Sequence, residues 1–204
     1  MNKQYYQDLV TQKSWEQLIE LKKGYDFVLI GGWAVYLYTK NLKSKDIDII
    51  VDYKELGLLR KNFAVYKNDR LKKYEIKIEG IDIDIYLPHF SELGLPVEEV
   101  INFTEKTETF LLLKKEILLI TKVKAFLSRR SSIKGQKDKI DILALIMLPD
   151  FDFQLFSDYM QKFKLEQYKE ILKEILNQTK QLPELNLNKH YFSREKKRIL
   201  DLLD

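Results

Sequence analysis

The chain of 204 residues is long enough for one domain with a substantial core, and a hydrophobic content of 45% can fill it. Its 35 Lys and Arg against 31 Asp and Glu give a net charge of +4, a mild excess spread along the chain that permits a polyanionic partner without requiring one. Cysteine is absent and the only histidines are His89 and His190, so disulfides, thiolate chemistry and a several-imidazole zinc site are excluded, and any metal must be a hard cation on carboxylates.

Ser14-Trp-Glu-Gln17 reads as a capping box opening a short helix that buries Leu18, Ile19 and Leu21 and ends at Gly24. Phe27–Ile30 is a short apolar run closed by Gly31-Gly32, a buried strand entering a tight turn, and Trp33–Tyr38 is helical. Asp46–Val51 forms a second strand and Glu55–Phe63 a helix. Tyr74–Leu87 alternates apolar and polar residues through Gly80, as two strands joined by a turn or one strand with a bulge. Val100–Leu113 holds one or two further strands. From Glu116 the spacing turns helical, with a nearly all-apolar helix over Lys139–Met147 stopped by Pro149. Two amphipathic helices follow, one with Phe153, Phe156, Met160 and Phe163, the other with Tyr168, Ile171, Leu172, Ile175 and Leu176; these stripes are core or a homodimer interface. Phe192–Leu203 is the last helix. The expected fold is α/β (α+β), a mixed sheet flanked by helices over residues 1–115, followed by a helical region over 116–204. No apolar run of ~18 residues occurs and the N-terminus lacks a signal-peptide apolar segment, so a cytoplasmic protein without a membrane partner is expected.

Two aspartates sit where a strand should be apolar. Side chains two apart on a strand share a face, which puts Asp46 with Asp48, and Asp82 with Asp84, opposite their interleaved isoleucines. Like charges so close repel, and a bound cation is the natural compensation. If the two strands are neighbours, three or four carboxylates converge on a patch suited to Mg²⁺ or Mn²⁺ completed by substrate phosphates. Gly31-Gly32 would let the backbone approach a phosphate at a helix N-terminus.

Together these residues resemble the polymerase-beta-like nucleotidyltransferases, whose signature is a strand ending in Gly-Gly or Gly-Ser, a helix, an Asp-x-Asp strand and a third acidic residue on a neighbouring strand. Here those are Gly31-Gly32, Asp46-Ile-Asp48, and Asp84 or Asp82. "GGWAV" is similar to the form in aminoglycoside and lincosamide nucleotidyltransferases. Leu118–Arg130 resembles the lysine-bearing helix of the abortive-infection, toxin–antitoxin branch, with Lys122 or Lys124 as its lysine. Lys134, Lys137, Asp138 and Asp141 match the spacing of that branch's R-x-x-R-D-x-Y-D motif, with both arginines replaced by lysine and the tyrosine by Ile140. Lysine keeps the charge but loses the planar fork. The resemblance covers roughly residues 28–143.

It implies a magnesium-dependent transfer of a nucleoside monophosphate from a nucleoside triphosphate to a hydroxyl on tRNA or other RNA, protein or a small molecule. Asp46, Asp48 and Asp84 would be catalytic, with Asp82 a further possible metal ligand. Gly31, Gly32, Lys45, Lys122, Lys124, Lys137 and Asp138 would bind the nucleotide. The alternatives are a non-catalytic nucleotide-binding or antitoxin-like module that binds a protein or RNA, and an interaction domain built on the aromatic helices.

Overall fold

The computed structural model describes residues 3–185 and 187–204, with side chains described from residue 8 onward. The chain forms two compact units, Met1–Leu37 with Lys43–Lys114, and Tyr38–Leu42 with Lys115–Asp204.

The first unit holds a seven-stranded mixed sheet. Its elements in chain order are α1 (Lys3–Gly24), β1 (Val28–Ile30), α2 (Gly31–Thr39, whose last residues pass to the second unit), β2 (Ile47–Ile50), α3 (Tyr53–Asn62), β3 (Tyr66–Asn68), β4 (Lys73–Ile78), β5 (Ile81–Tyr86), α4 (Val97–Val100), β6 (Thr104–Lys106) and β7 (Leu111–Leu113). The strand order is β3-β4-β5-β2-β1-β7-β6. The β2/β5 and β1/β7 pairs are parallel and the rest antiparallel. Central β1 is buried at all three residues, which is why its sequence is a continuous apolar run rather than an alternation.

Tyr74–Leu87 is resolved as two strands. Glu79 and Gly80 both take positive φ, 50° and 83°, the two-residue hairpin turn whose twist matches its strands. Its register pairs Ile78 with Ile81 and Ile76 with Ile83. Ile47, Ile49, Ile83 and Ile85 are completely buried, each stabilising the fold by roughly 1.5–3 kcal/mol through transfer from water.

The capping box at Ser14 does not exist as such, because α1 runs unbroken through it to Gly24. Ser14 is fully buried in mid-helix, and its Oγ accepts a hydrogen bond from Trp33 Nε1 at 2.9 Å. Tertiary pairing, not helix initiation, explains the serine. Trp15 stacks near Trp33 at 5.1 Å and near Phe110 at 6.0 Å, so α2 is fastened to α1 through the tryptophan of the GGW run. Helix α3 starts two residues earlier than its apolar pattern suggests, capped by Asp52, whose carboxylate accepts from the Glu55 amide at 2.7 Å.

The second unit is helical: α5 (Lys115–Arg129), α6 (Ile133–Ile146), α7 (Phe153–Phe163), α8 (Gln167–Gln178) and α9 (Lys189–Leu203). Ser132, Asp152 and Asn188 cap α6, α7 and α9. Phe156, Met160, Tyr168, Leu172, Ile175 and Leu176 are buried within the single chain, so most of the aromatic and aliphatic stripe is core rather than a dimer face. Phe153, Phe163 and Ile171 stay half-buried. Among the described residues no helix is long and apolar enough to cross a membrane.

Candidate active site

The parallel register of β2 and β5 sets Ile47 beside Ile83 and Asp48 beside Asp84. The isoleucines anchor both strands in the core, and alternation turns the two carboxylates to the other face, on strands ~4.8 Å apart. Asp84 is only 18% exposed. Burial, and after it the charge of Asp48, push its pKa up from 3.8 to about 6.

Lys73 partly offsets that cost. Its Nζ lies 2.7 Å from Asp84 Oδ2 and 2.9 Å from Glu75 Oε1, and Asn68 Nδ2 donates to the same Glu75 oxygen at 3.1 Å. Burial works against the lysine's charge, but its bonds to Asp84 and Glu75 outweigh it and hold its pKa above the usual value. The bond from Lys73 keeps Glu75 below the usual carboxylate range. Register makes one row across four strands: Tyr66 faces Glu75, Glu75 faces Asp84, and Asp84 faces Asp48.

Gly31, the first residue of α2, has φ of +64°, where an L side chain is strained. A Cβ there would overlap the Asp48 carboxylate and lie 2.7 Å from Asp48 Cβ. The glycine therefore lets an aspartate stand against the amino end of α2, where unpaired N–H groups and the helix dipole favour negative charge. Gly32 follows, buried in the first turn.

The remaining expected ligands are placed differently. Asp46 lies in a bend one residue before β2, half-buried, so strand alternation does not fix its side. Asp82 shares the face of Asp84 but is 51% exposed and pairs with Lys77 at 3.5 Å. The β2–β5 register is what joins Asp84 and not Asp82 to Asp48. Among the described residues, no three His, Asp or Glu side chains form a ready-made metal cage. Lys45 is exposed.

In the second unit, Lys122 on α5 is buried, 2.7 Å from Asp141 Oδ2 and 3.4 Å from Asp138 Oδ1 on α6. Arg129 grips Asp138 with both prongs of its fork, Nε at 2.6 Å and Nη2 at 3.0 Å. Lys137 reaches Asp141 at 3.5 Å. Lys124 and Lys134 are exposed; two residues from Lys122 along a helix is the opposite side. Gly135 keeps α6 close to the chain before it, since a Cβ there would lie 2.9 Å from the Arg129 carbonyl carbon. Sequence reading missed Arg129, Lys73 and Glu75. A signal existed for Arg129, seven residues and two turns after Lys122 on the same helix face, and for Lys73 only in the cross-strand register.

No protein-family model and no curated protein matches the chain. Among solved structures it is similar to a candidate nucleotidyltransferase from H. pylori, at 16% identity over 100% of this chain and 96% of that one, with a TM-score of 0.49. JHP933 from Helicobacter pylori gives 15% identity, 100% and 93% coverage and a TM-score of 0.48. An antigenic nucleotidyltransferase-like protein from Paracoccidioides brasiliensis gives 17%, 79%, 90% and 0.41. Likeness at this level assigns no activity.

Proposed function

We propose that the chain is a divalent-metal-dependent nucleotidyltransferase that moves a nucleoside monophosphate from a nucleoside triphosphate to a hydroxyl acceptor and releases pyrophosphate. The observation that carries this reading is the Asp48–Asp84 pair, side by side on a parallel ladder, with Gly31 of a helix amino end pressed against Asp48.

The residues fit a metal that arrives with its substrate. Two adjacent carboxylates, one with its pKa raised by burial and by the other, gain from a cation between them. Mg²⁺ is commonly held by one or two carboxylates, its other positions filled by water and phosphate oxygens, so a preformed cage is unnecessary. Asp48 and Asp84 would hold it. Bound there, Mg²⁺ or Mn²⁺ supplies charge neutralisation on the phosphates and acidifies a coordinated hydroxyl.

The chain's own groups do the rest. The amides at Gly31 and Gly32 receive phosphate oxygens at the start of α2. The acceptor oxygen bonds to the α-phosphorus as the bond from that phosphorus to pyrophosphate breaks, and the hydroxyl proton leaves to one aspartate carboxylate. The resemblance implied that Lys122, Lys124 and Lys137 act on the triphosphate. The ion pairs of Lys122 with Asp141 and Asp138 support, for that residue, a role in fixing α5 to α6.

A second reading, nucleotide binding without catalysis, is favoured by one contact: Lys73 already lies on Asp84, where a metal must compete with it. Calorimetry with each nucleoside triphosphate with and without Mg²⁺, and transfer of α-phosphate label to RNA, protein and small hydroxyl compounds, test both. Asp48→Asn and Asp84→Asn are expected to abolish label transfer and metal-dependent affinity. Metal-dependent binding that survives in the double variant overturns the site; binding without transfer to any acceptor selects the second reading.

A further inference from the structure

The row of carboxylates that ends at Asp48 contains one cation. Lys73 rises from β4 on the sheet face of Glu75, Asp84 and Asp48, since residues two apart on a strand share a face and register sets Glu75 beside Asp84 and Asp84 beside Asp48. Its side chain is 12% exposed, and its ammonium is divided between two acceptors, Asp84 Oδ2 at 2.7 Å and Glu75 Oε1 at 2.9 Å. The two carboxylates are not equivalent. Asp84 stands next to Asp48, whereas Glu75 lies one strand further out.

Glu75 is a partner for the ammonium and not a third metal ligand. Among the described residues no three His, Asp or Glu side chains are grouped so as to hold an ion together, so Glu75 completes no cage with Asp48 and Asp84. Its Oε1 instead accepts from Asn68 Nδ2 at 3.1 Å, and the Asn68 side chain is fixed at its other end, where Oδ1 accepts from the Leu71 amide at 3.0 Å. The β3–β4 connection thereby pins Glu75 against the ammonium. Lys73, with three rotatable N–H donors on a four-carbon stem, is the mobile member of the pair.

A divalent ion bound between Asp48 and Asp84 repels an ammonium that sits 2.7 Å from the Asp84 oxygen. Driving a part-buried lysine off a sole carboxylate would strand its charge. Glu75 removes that obstacle, because Lys73 gives up one of two ion pairs and keeps the other. Charge points the same way. The three carboxylates Asp48, Asp84 and Glu75 with the one ammonium leave two negative charges among these side chains, the number that a single divalent ion offsets.

We propose that Lys73 is a resident counter-ion of the metal position, neutralising Asp84 while no metal is bound and withdrawing to Glu75 alone when a divalent ion binds between Asp48 and Asp84. Lys73 and Glu75 are then positioning residues that act through Asp84. The inference rests on the metal-dependent transferase reading. It also turns the contact that would make the lysine a blocker into one that the ion releases.

Mn²⁺ alone, titrated into the full chain and followed by the electron paramagnetic resonance of the free ion, tests this without turnover. Lys73→Met should bind Mn²⁺ about 10-fold more tightly than wild type, since the like charge beside Asp84 is gone. Glu75→Gln takes away the place to which the ammonium withdraws and should bind about 10-fold more weakly. With Lys73→Met already present, adding Glu75→Gln should change affinity by less than about 3-fold, because no ammonium is left to receive. Lys73→Gln, which keeps a polar group beside both carboxylates, carries the same expectation should Lys73→Met fail to fold. An unchanged affinity on removing the lysine overturns the proposal. So does a Glu75→Gln loss of equal size with and without Lys73, which would mean that Glu75 acts by its charge alone. Asp48→Asn with Asp84→Asn separates the two readings. Mn²⁺ bound there as tightly as by wild type refutes the metal site and the transferase reading with it, whereas Mn²⁺ lost there while the Lys73 and Glu75 effects simply add refutes the counter-ion alone.

Discussion

Asp84 carries a cost that the fold accepts. Its folded pKa of about 6 lies above the ordinary aspartate value of 3.8, so the folded chain holds that proton more tightly than the unfolded one. The unfavourable contribution is therefore fully present above pH 6, shrinks as pH falls through 6, and is gone below the unfolded value. Asp84→Asn is expected to stabilise the chain by about 1–2 kcal/mol at pH 8 and by nothing measurable near pH 3.5, read from urea midpoints at both pH values, while metal-dependent nucleotide binding is lost. Gly31→Ala should do the reverse on stability. The positive φ and the overlap with Asp48 together cost about 2 kcal/mol or more, measured by the same unfolding series. Gly31 and Asp48 were legible as candidates from residue type and spacing, whereas spacing left Asp82 and Asp84 equal and only the β2–β5 register sets Asp84 beside Asp48. Lys73 was not, because it reaches Asp84 only through a hairpin register that no local pattern states, although Glu75 is its neighbour two residues along the same strand.

Among elements, legibility followed length and periodicity. The β4–β5 hairpin announced itself through alternation around Gly80, and α5 to α9 through helical spacing. Strand β3 did not, having three residues and no apolar alternation. The run Ser14–Gln17 matched a helix start while lying in the middle of α1, since a motif cannot show that its hydroxyl is taken by Trp33. Ser14→Ala leaves that buried indole N–H without its acceptor and should cost about 1–3 kcal/mol, seen as a lowered thermal midpoint. The α5–α6 contact offers a sharper case. Lys122→Met strips Asp141 and Asp138 of a buried partner and should destabilise by about 3–5 kcal/mol in denaturant titration. Adding Asp141→Leu should restore most of it, with Asp138 still held by Arg129.

At the scale of the molecule, composition misled where it averaged. A net +4 averages over local runs: Arg60–Lys73 carries +5, and so do the fourteen residues from Lys124 to Lys137, with five basic residues and no acidic one. A variant carrying Lys67→Gln, Arg70→Gln and Lys72→Gln, three exposed cations of one run, should elute from heparin at a lower salt concentration than one carrying Lys13→Gln, Lys43→Gln and Lys180→Gln, exposed lysines far apart in sequence, although the two have identical net charge.

The contact between Gly31 and Asp48 also constrains the order in which this chain can change over generations. While the aspartate is present, any side chain at 31 collides with it, so the glycine is held in place by a residue seventeen positions away. Once Asp48 is lost, part of that hold is released. A Gly31→Ala change made in an Asp48→Ala background should cost less than in the wild type, the difference being the collision itself. Descendants that abandon the carboxylate are then free to drift at the glycine, whereas the opposite order passes through a destabilised intermediate, which makes retention of both residues together the mark of a site still under selection.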